Sequence, residues 1–270
     1  MDKVKRGERM AVMTRIFSEN PNKLFTLSTF CDLFSSAKSS ISEDLALLND
    51  CMKAFSLGTV ETVAGAAGGV RFRPAGKTEE KKKFILRICE MLMQEDRRLP
   101  GGFLYFSDIL ADPQLTRGMG QMIASRYYDK GIDFVLTMET KGIPVALMTA
   151  EALGVPLIIA RHATKVYEGS AVNINYVTGN GRIESMSLSR RAVQPGQKAL
   201  IVDDFMRGGG TANGMVSLMK EFSVSVEGVC FVLAIANPKS NVPDNMSSLM
   251  LLEEIREGVP TRVTPAPWIL

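Results

Sequence analysis

The chain has 270 residues, 46% hydrophobic and 23% charged, which fits one large globular domain or two smaller ones and excludes an intrinsically disordered protein. Its net charge of +3, with 10 basic and 8 acidic side chains in residues 1–74 and 22 and 21 in the rest, is too small for bulk charge to argue nucleic-acid binding. No apolar run nears the roughly 20 residues of a membrane span, the charged start lacks a secretion-signal core, and the scattered Cys31, Cys51, Cys89 and Cys230 suit reduced thiols of a cytoplasmic protein rather than a disulfide or zinc framework.

In chain order, Met10, Met13, Ile16 and Phe17 form one apolar face of a helix that stops near Asn20 and Pro21. Residues 27–34 make a second, shorter helix. Residues 35–38 turn into a third, in which Ile41, Leu45, Leu48 and Met52 repeat at helical spacing. After Phe55, short strands at 58–64 and 70–73 flank a small-residue tip at 65–69, which reads as a hairpin. Three helices and a hairpin, with a tight turn before the third helix, is the order of a winged helix-turn-helix domain. Its third helix would present Lys38, Ser39, Ser40 and Ser42 to a major groove. Lys3, Lys5 and Arg6 in an arm, with Arg71 and Arg73 on the wing, would bind backbone phosphates. Ser40 and Glu43 also match a capping box, so a small helical dimerisation subdomain with capping serines is the competing reading.

Residues 74–83 read as a linker running into a helix that continues through Ile85, Ile88 and Leu92 to about Glu95. Beyond it the pattern alternates: helix 114–130, strand 132–138, helix 143–153 and strand 155–160. A long hairpin between 166 and 191 precedes strand 199–202 and helix 212–221. Such alternation specifies an α/β fold with a parallel sheet covered by helices. The expected division is a winged-helix domain at 1–74 and a sheet domain at 75–270.

Residues 199–202, all apolar, run into Asp203 and Asp204. Phe205, Met206, Arg207, Gly208, Gly209, Gly210 and Thr211 then open the helix at 212–221. Carboxylates at a strand's carboxyl end, beside the free N–H groups of a helix start, suit a ribose diol, a Mg²⁺ ion or both, next to a phosphate. No Gly-Lys-Ser/Thr follows the glycines, and a Rossmann fingerprint lacks the acidic pair. A second strand-loop-helix junction, Glu139, Thr140, Lys141 and Gly142, offers a hydroxyl, a charge and backbone freedom for another phosphate. Strand 155–160 delivers Arg161, a bidentate phosphate ligand by type, and His162, the only histidine, to the same sheet edge. His162 has no partner in the sequence that would make it catalytic and fits a hydrogen-bonding role at the rim. Glu139 puts a negative charge beside the expected anion and opposes its binding.

The acidic pair with its glycine loop closely resembles the phosphoribosyl pyrophosphate (PRPP) signature of the type I phosphoribosyltransferase fold. Residues 139–142 resemble its pyrophosphate loop, and the hairpin at 166–191 the loop that folds over PRPP. Joined to a winged helix, and with matching segments at 37–45 (Ala-Lys-Ser-Ser-Ile-Ser-Glu-Asp-Leu), 65–70, 99–102 (Leu-Pro-Gly-Gly), 140–144, 168–170, 175–177 and 203–206, the chain resembles the purine operon repressors of Gram-positive bacteria over about residues 3–235. The resemblance implies a homodimeric regulator that binds operator DNA near purine genes, most often as a repressor, and senses PRPP without turning it over. PRPP is expected to lower DNA affinity, with Mg²⁺ as its companion rather than as a required cofactor. Guanosine tetraphosphate and related purine nucleotides are expected to compete for the pocket. Some relatives of this kind activate, so the resemblance leaves the sign open.

Residues 237–270 depart from the family's usual ending and show little regular pattern. Arg207-Gly208 and Arg161-His162 replace the commoner pairs Lys-Ala and Arg-Lys. Two other functions compete. An active purine phosphoribosyltransferase with a regulatory amino-terminal domain would need an aromatic and amide set for the base, which the sequence after Asn237 does not offer. An RNA-binding attenuator conflicts with a recognition helix suited to the DNA major groove.

Overall fold

The computed structural model describes residues 4–65, 68–74, 76–162, 169–178, 181–238, 242–253, 255 and 259–270. Lys3, the hairpin tip at 66–67 and the start of the long hairpin at 166–168 lie outside the described residues. The chain forms two compact units, one of Met1–Lys77 with Glu151–Gly154, the other of Thr78–Ala150 with Val155–Leu270.

The first unit contains α1 (Arg6–Glu19), α2 (Leu27–Phe34), α3 (Lys38–Ala54) and an antiparallel hairpin of β1 (Thr59–Val63) and β2 (Gly69–Arg73). The helical-spacing residues do what their pattern demands: Met13, Phe17, Ile41, Leu45, Leu48 and Met52 are all buried in one core with Phe30, Val70 and Phe72. Phe17 sits at its centre, 5.8 Å from the Phe25 ring and 5.4 Å from Phe30. Thr26 caps α2 by accepting the Thr29 N–H at 3.3 Å, and Ser35 ends it in the left-handed region at φ 48°. Gly69 is needed where Phe25 bridges to Val70, because a Cβ there would run into the Phe25 carbonyl oxygen. The expected Ser40–Glu43 capping box does not form. Ser40 already lies inside the first turn of α3, whose cap position is Ala37. One half of such a contact occurs instead at α1, where the Lys5 N–H donates to Glu8 Oε2 at 2.7 Å.

The second unit opens with α4 (Thr78–Leu92), which starts inside the charged run read as linker. A two-residue hairpin, β3 (Arg98–Leu99) and β4 (Phe103–Leu104), is followed by α5 (Ser107–Ala111), α6 (Pro113–Ser125), β5 (Phe134–Met138), α7 (Ile143–Leu153) and β6 (Leu157–Ala160). The long hairpin is β7 (Ala171–Val177) and β8 (Ile183–Ser189). Then come β9 (Lys198–Met206), α8 (Gly210–Glu221), β10 (Ser225–Ile235), β11 (Met246–Leu252) and β12 (Val263–Pro265). The main sheet runs β12-β11-β10-β9-β5-β6, parallel throughout except for the β11–β12 pair.

Two expectations are corrected here. Strand β9 does not end at Val202 but continues through the acidic pair to Met206, because Asp203, Phe205 and Met206 pair with Phe231, Leu233 and Ala234 of β10. The region after residue 237 is not patternless. Its buried Leu249 and Met250 place β11 in the sheet, and Trp268 anchors the end by donating to the Ser248 carbonyl at 2.7 Å beneath the Arg126 guanidinium.

Connectivity positions the site. From β5 the chain steps outward to β6, then returns across β5 to β9 and proceeds the other way to β10 and β11. Strand order therefore reverses between β5 and β9. The loops leaving their carboxyl ends diverge to opposite sides, and the crevice between them is where such sheets bind ligands.

Candidate functional site

Both phosphate-type loops leave the two strands that flank this crevice. Residues 139–142 follow β5, and residues 207–209 follow β9 and lead into α8. Gly209, at φ 72°, caps α8 in a conformation that glycine adopts at no steric cost, so the first N–H groups of the helix stay open to an anion. Gly210 packs so closely on the Val177 carbonyl that a Cβ would collide with it, which seats the helix start against the β7–β8 hairpin. Tyr176 of that hairpin donates to Glu184 Oε2 at 3.0 Å. Burial and the Glu184 carboxylate push its hydroxyl up to about 12.

The two carboxylates of the pair have different surroundings. Asp203 is only 7% exposed. Its Oδ1 accepts the Asp204 N–H at 3.0 Å, and the backbone of Gly142 lies directly on its carboxylate. Burial first, and the neighbouring Asp204 charge second, raise it well above the ordinary carboxylate range. Asp204 is raised by burial too, with its hydrogen bond to the Asp203 side chain and, less, Lys141 pulling the other way, and it lines an open cavity. Asp203 thus supports the 139–142 loop from below, while Asp204 meets whatever enters. Thr137, also beneath the loop, is fully buried, and its Oγ1 has no hydrogen-bond partner among the described residues.

The cavity holds about 960 Å³. Of the residues singled out in the sequence, Lys141, Asp204, Phe205, Arg207 and Gly208 line it. Met206 is buried in the core behind the strand, and Asp203 lies under the loop. Arg161 and His162 stand at the end of β6 beside Glu139, and His162 Nδ1 is 4.0 Å from Glu184 Oε2. Sequence reading missed the opposite wall: Gly101, Gly102, Phe103, Phe106, Asn237 and Glu253. Arg207 reaches this wall, with its guanidinium 5.1 Å from the Phe103 ring and Nη2 3.5 Å from the Gly102 carbonyl. Phe106 and Phe205 meet edge to face at 6.1 Å. An aromatic and amide set does exist, but its rings come from before β5 and from the acidic strand itself. The pair Gly101-Gly102 was the available signal, since both adopt positive φ to turn Phe103 back toward the site.

In the first unit, Lys38, Ser39 and Ser42 are exposed on the first turns of α3, with Ser40 half-buried. Lys5 is exposed just before α1. The other basic residues expected to meet DNA are paired with carboxylates. Arg6 is the first residue of α1, not arm, and its Nε bonds Asp44 at 2.9 Å. Buried Arg9 bonds the other oxygen of Asp44 at 2.7 Å and reaches the Val4 carbonyl. Arg71 pairs across the hairpin with Glu61 at 3.3 Å. Arg73, 8% exposed, binds Glu61 and Asn22, so its charge holds the hairpin together.

Residues 5–74 match the family described as bacterial purine repressor, N-terminal, and residues 106–267 match the phosphoribosyl transferase domain. Over 254 residues the chain is 40% identical to the purine biosynthesis transcriptional repressor PurR of Bacillus subtilis, covering 94% of this chain and 89% of that one. The chain belongs to the PurR family of purine-biosynthesis transcriptional regulators. The purine biosynthesis transcriptional activator PurR of Lactococcus lactis is 42% identical over 93% of both chains, so relatives of either regulatory sign exist. The probable regulator PurR of Streptococcus pneumoniae is 43% identical over 84% of this chain and 83% of its own. These PurR-family relatives are regulators, not enzymes. An adenine phosphoribosyltransferase from Thermoanaerobacter pseudethanolicus shares the fold of the sheet domain, with a TM-score of 0.53 at 20% identity over 62% of this chain and 98% of its own. The expected architecture, a winged helix joined to a type I phosphoribosyltransferase-like α/β domain, is borne out. No described helix is long and apolar enough to cross a membrane.

Proposed function

We propose that this chain is a homodimeric, operator-binding regulator of purine biosynthesis genes whose sheet domain senses PRPP. The observation that carries the effector reading is the crevice at the strand-order reversal. There Asp204, Lys141 and the Arg207-Gly208 turn that leads into α8 line one cavity of about 960 Å³. In this reading the glycine loop and α8 take the 5′-phosphate, Asp204 the ribose diol, and residues 140–142 the diphosphate. Asp204 offers a carboxylate to a Mg²⁺ ion, and Glu253 lines the same cavity. No group of three or more His, Cys, Asp or Glu that could hold a metal occurs among the described residues. In this reading a Mg²⁺ ion arrives on the ligand's own phosphate oxygens. The aromatic wall of Phe103, Phe106 and Phe205, with Asn237, supports competition by purine nucleotides, guanosine tetraphosphate among them.

For PRPP to lower DNA affinity, it must bind the DNA-free state more tightly than the DNA-bound one. The test is a titration of DNA upstream of purine genes, with and without PRPP, at fixed salt. Tight, sequence-specific binding that PRPP weakens is expected. Asp204→Ala should lose the response to PRPP, and an undiminished response in that variant would place the sensor elsewhere.

A further inference from the structure

Glu139 opens the diphosphate-type loop with a charge of the wrong sign, and the structure shows where that charge goes. Oε1 accepts the His162 backbone N–H at 2.7 Å. Oε2 pairs with Arg161 Nη1 at 3.5 Å. One carboxylate therefore engages two anion donors at the end of β6, a guanidinium and a main-chain N–H. These are the donor types that a phosphate group uses. The two side chains are 23% and 32% exposed, so their attraction is less screened than that of a fully solvated pair.

Building on the PRPP reading, we propose that Glu139 is an affinity-setting residue, an internal counter-anion that a diphosphate ligand must displace from Arg161 and the His162 N–H. While the carboxylate stays, the ligand can draw only on Lys141, the rest of its loop and the glycine loop. Displacement costs the pair's interaction, so the site fills at a higher effector concentration than it would with a neutral residue at 139. The unfavourable charge thereby sets a threshold.

The test is calorimetric titration of the full chain with inorganic pyrophosphate and, separately, PRPP. Four proteins are compared: wild type, Glu139→Gln, Glu139→Ala, and Glu139→Gln with Arg161→Gln. Glutamine keeps the shape and an acceptor for the His162 N–H while removing the competing charge. Glu139→Gln should bind pyrophosphate roughly fivefold or more tightly, the scale of one partly shielded ion pair. Glu139→Ala, which frees both donors, should gain at least as much, and the added Arg161→Gln should erase the gain. Unchanged or weaker pyrophosphate binding by both Glu139 variants, with wild-type binding measurable, would overturn the proposal and leave the effector reading standing. If none of the four proteins binds either titrant, the effector reading falls and the proposal with it.

Discussion

Gly142→Ala tests how the two loops of the candidate site depend on each other. A Cβ at this position would overlap the Asp203 carboxylate and lie 2.6 Å from Thr137 Oγ1, against an ordinary carbon contact of about 3.5 Å. Neither neighbour has room to withdraw, since Thr137 is fully buried and Asp203 nearly so. Gly142 has no positive φ, so the conflict is steric rather than conformational. Overpacking of this kind costs about 1–3 kcal/mol. If Asp203 yields, the loss appears as a lower unfolding temperature. If the 139–142 loop lifts, it appears as a loss of roughly 5- to 150-fold in PRPP affinity. Scanning calorimetry and PRPP titration on the same sample measure both shares. Wild-type values in both assays would refute the claim that the loop rests on the acidic pair.

Three further outcomes are expected. Asp203 is held above its unfolded value, so the folded protein keeps a proton that the unfolded chain releases. Its contribution to stability is therefore greatest below about pH 4 and falls as pH rises toward the folded value. Asp203→Asn should raise the unfolding temperature at pH 7 and flatten that decline, and an unchanged pH profile would contradict the assignment. Asp44→Ala removes the partner of buried Arg9 and should destabilise the winged-helix unit by about 3–5 kcal/mol in urea unfolding, with Asp44→Asn milder. Lys38→Ala should weaken binding to all DNA sequences alike and reduce the slope of log affinity against log salt by about 0.9, whereas Arg73→Ala, lacking an outward charge to lose, should leave that slope unchanged.

Much was legible in the sequence because it was encoded locally. The helix spacing of Ile41, Leu45, Leu48 and Met52, the hairpin around 65–69 and the junction of a strand, Asp203-Asp204, three glycines and a helix are each set by neighbours a few residues apart. Together they fixed the two units, the fold class and both phosphate-type loops. Strands paired mainly by tertiary context were harder to read. β11 was missed because a short apolar run after a polar segment has no periodicity of its own, and β9 was cut short because two aspartates rarely continue a strand without a partner such as β10.

The sequence by itself determined which residues are chemically suited to phosphate, ribose or DNA, since composition and spacing limit what a segment can bind. Only the tertiary structure decided which of them meet. Strand order placed the loops after β5 and β9 on either side of one crevice, and brought Phe103 and Asn237 to its far wall from opposite ends of the domain. It buried Asp203 beneath the 139–142 loop and left Asp204 at the cavity wall, although the two are adjacent in the chain. It also paired Arg6, Arg71 and Arg73 with carboxylates, because an arginine beside Asp44 or Glu61 gains more from a partly shielded partner than from solvent. Charge and spacing are written along the chain; burial and pairing depend on residues far away in it, and no local pattern carries them.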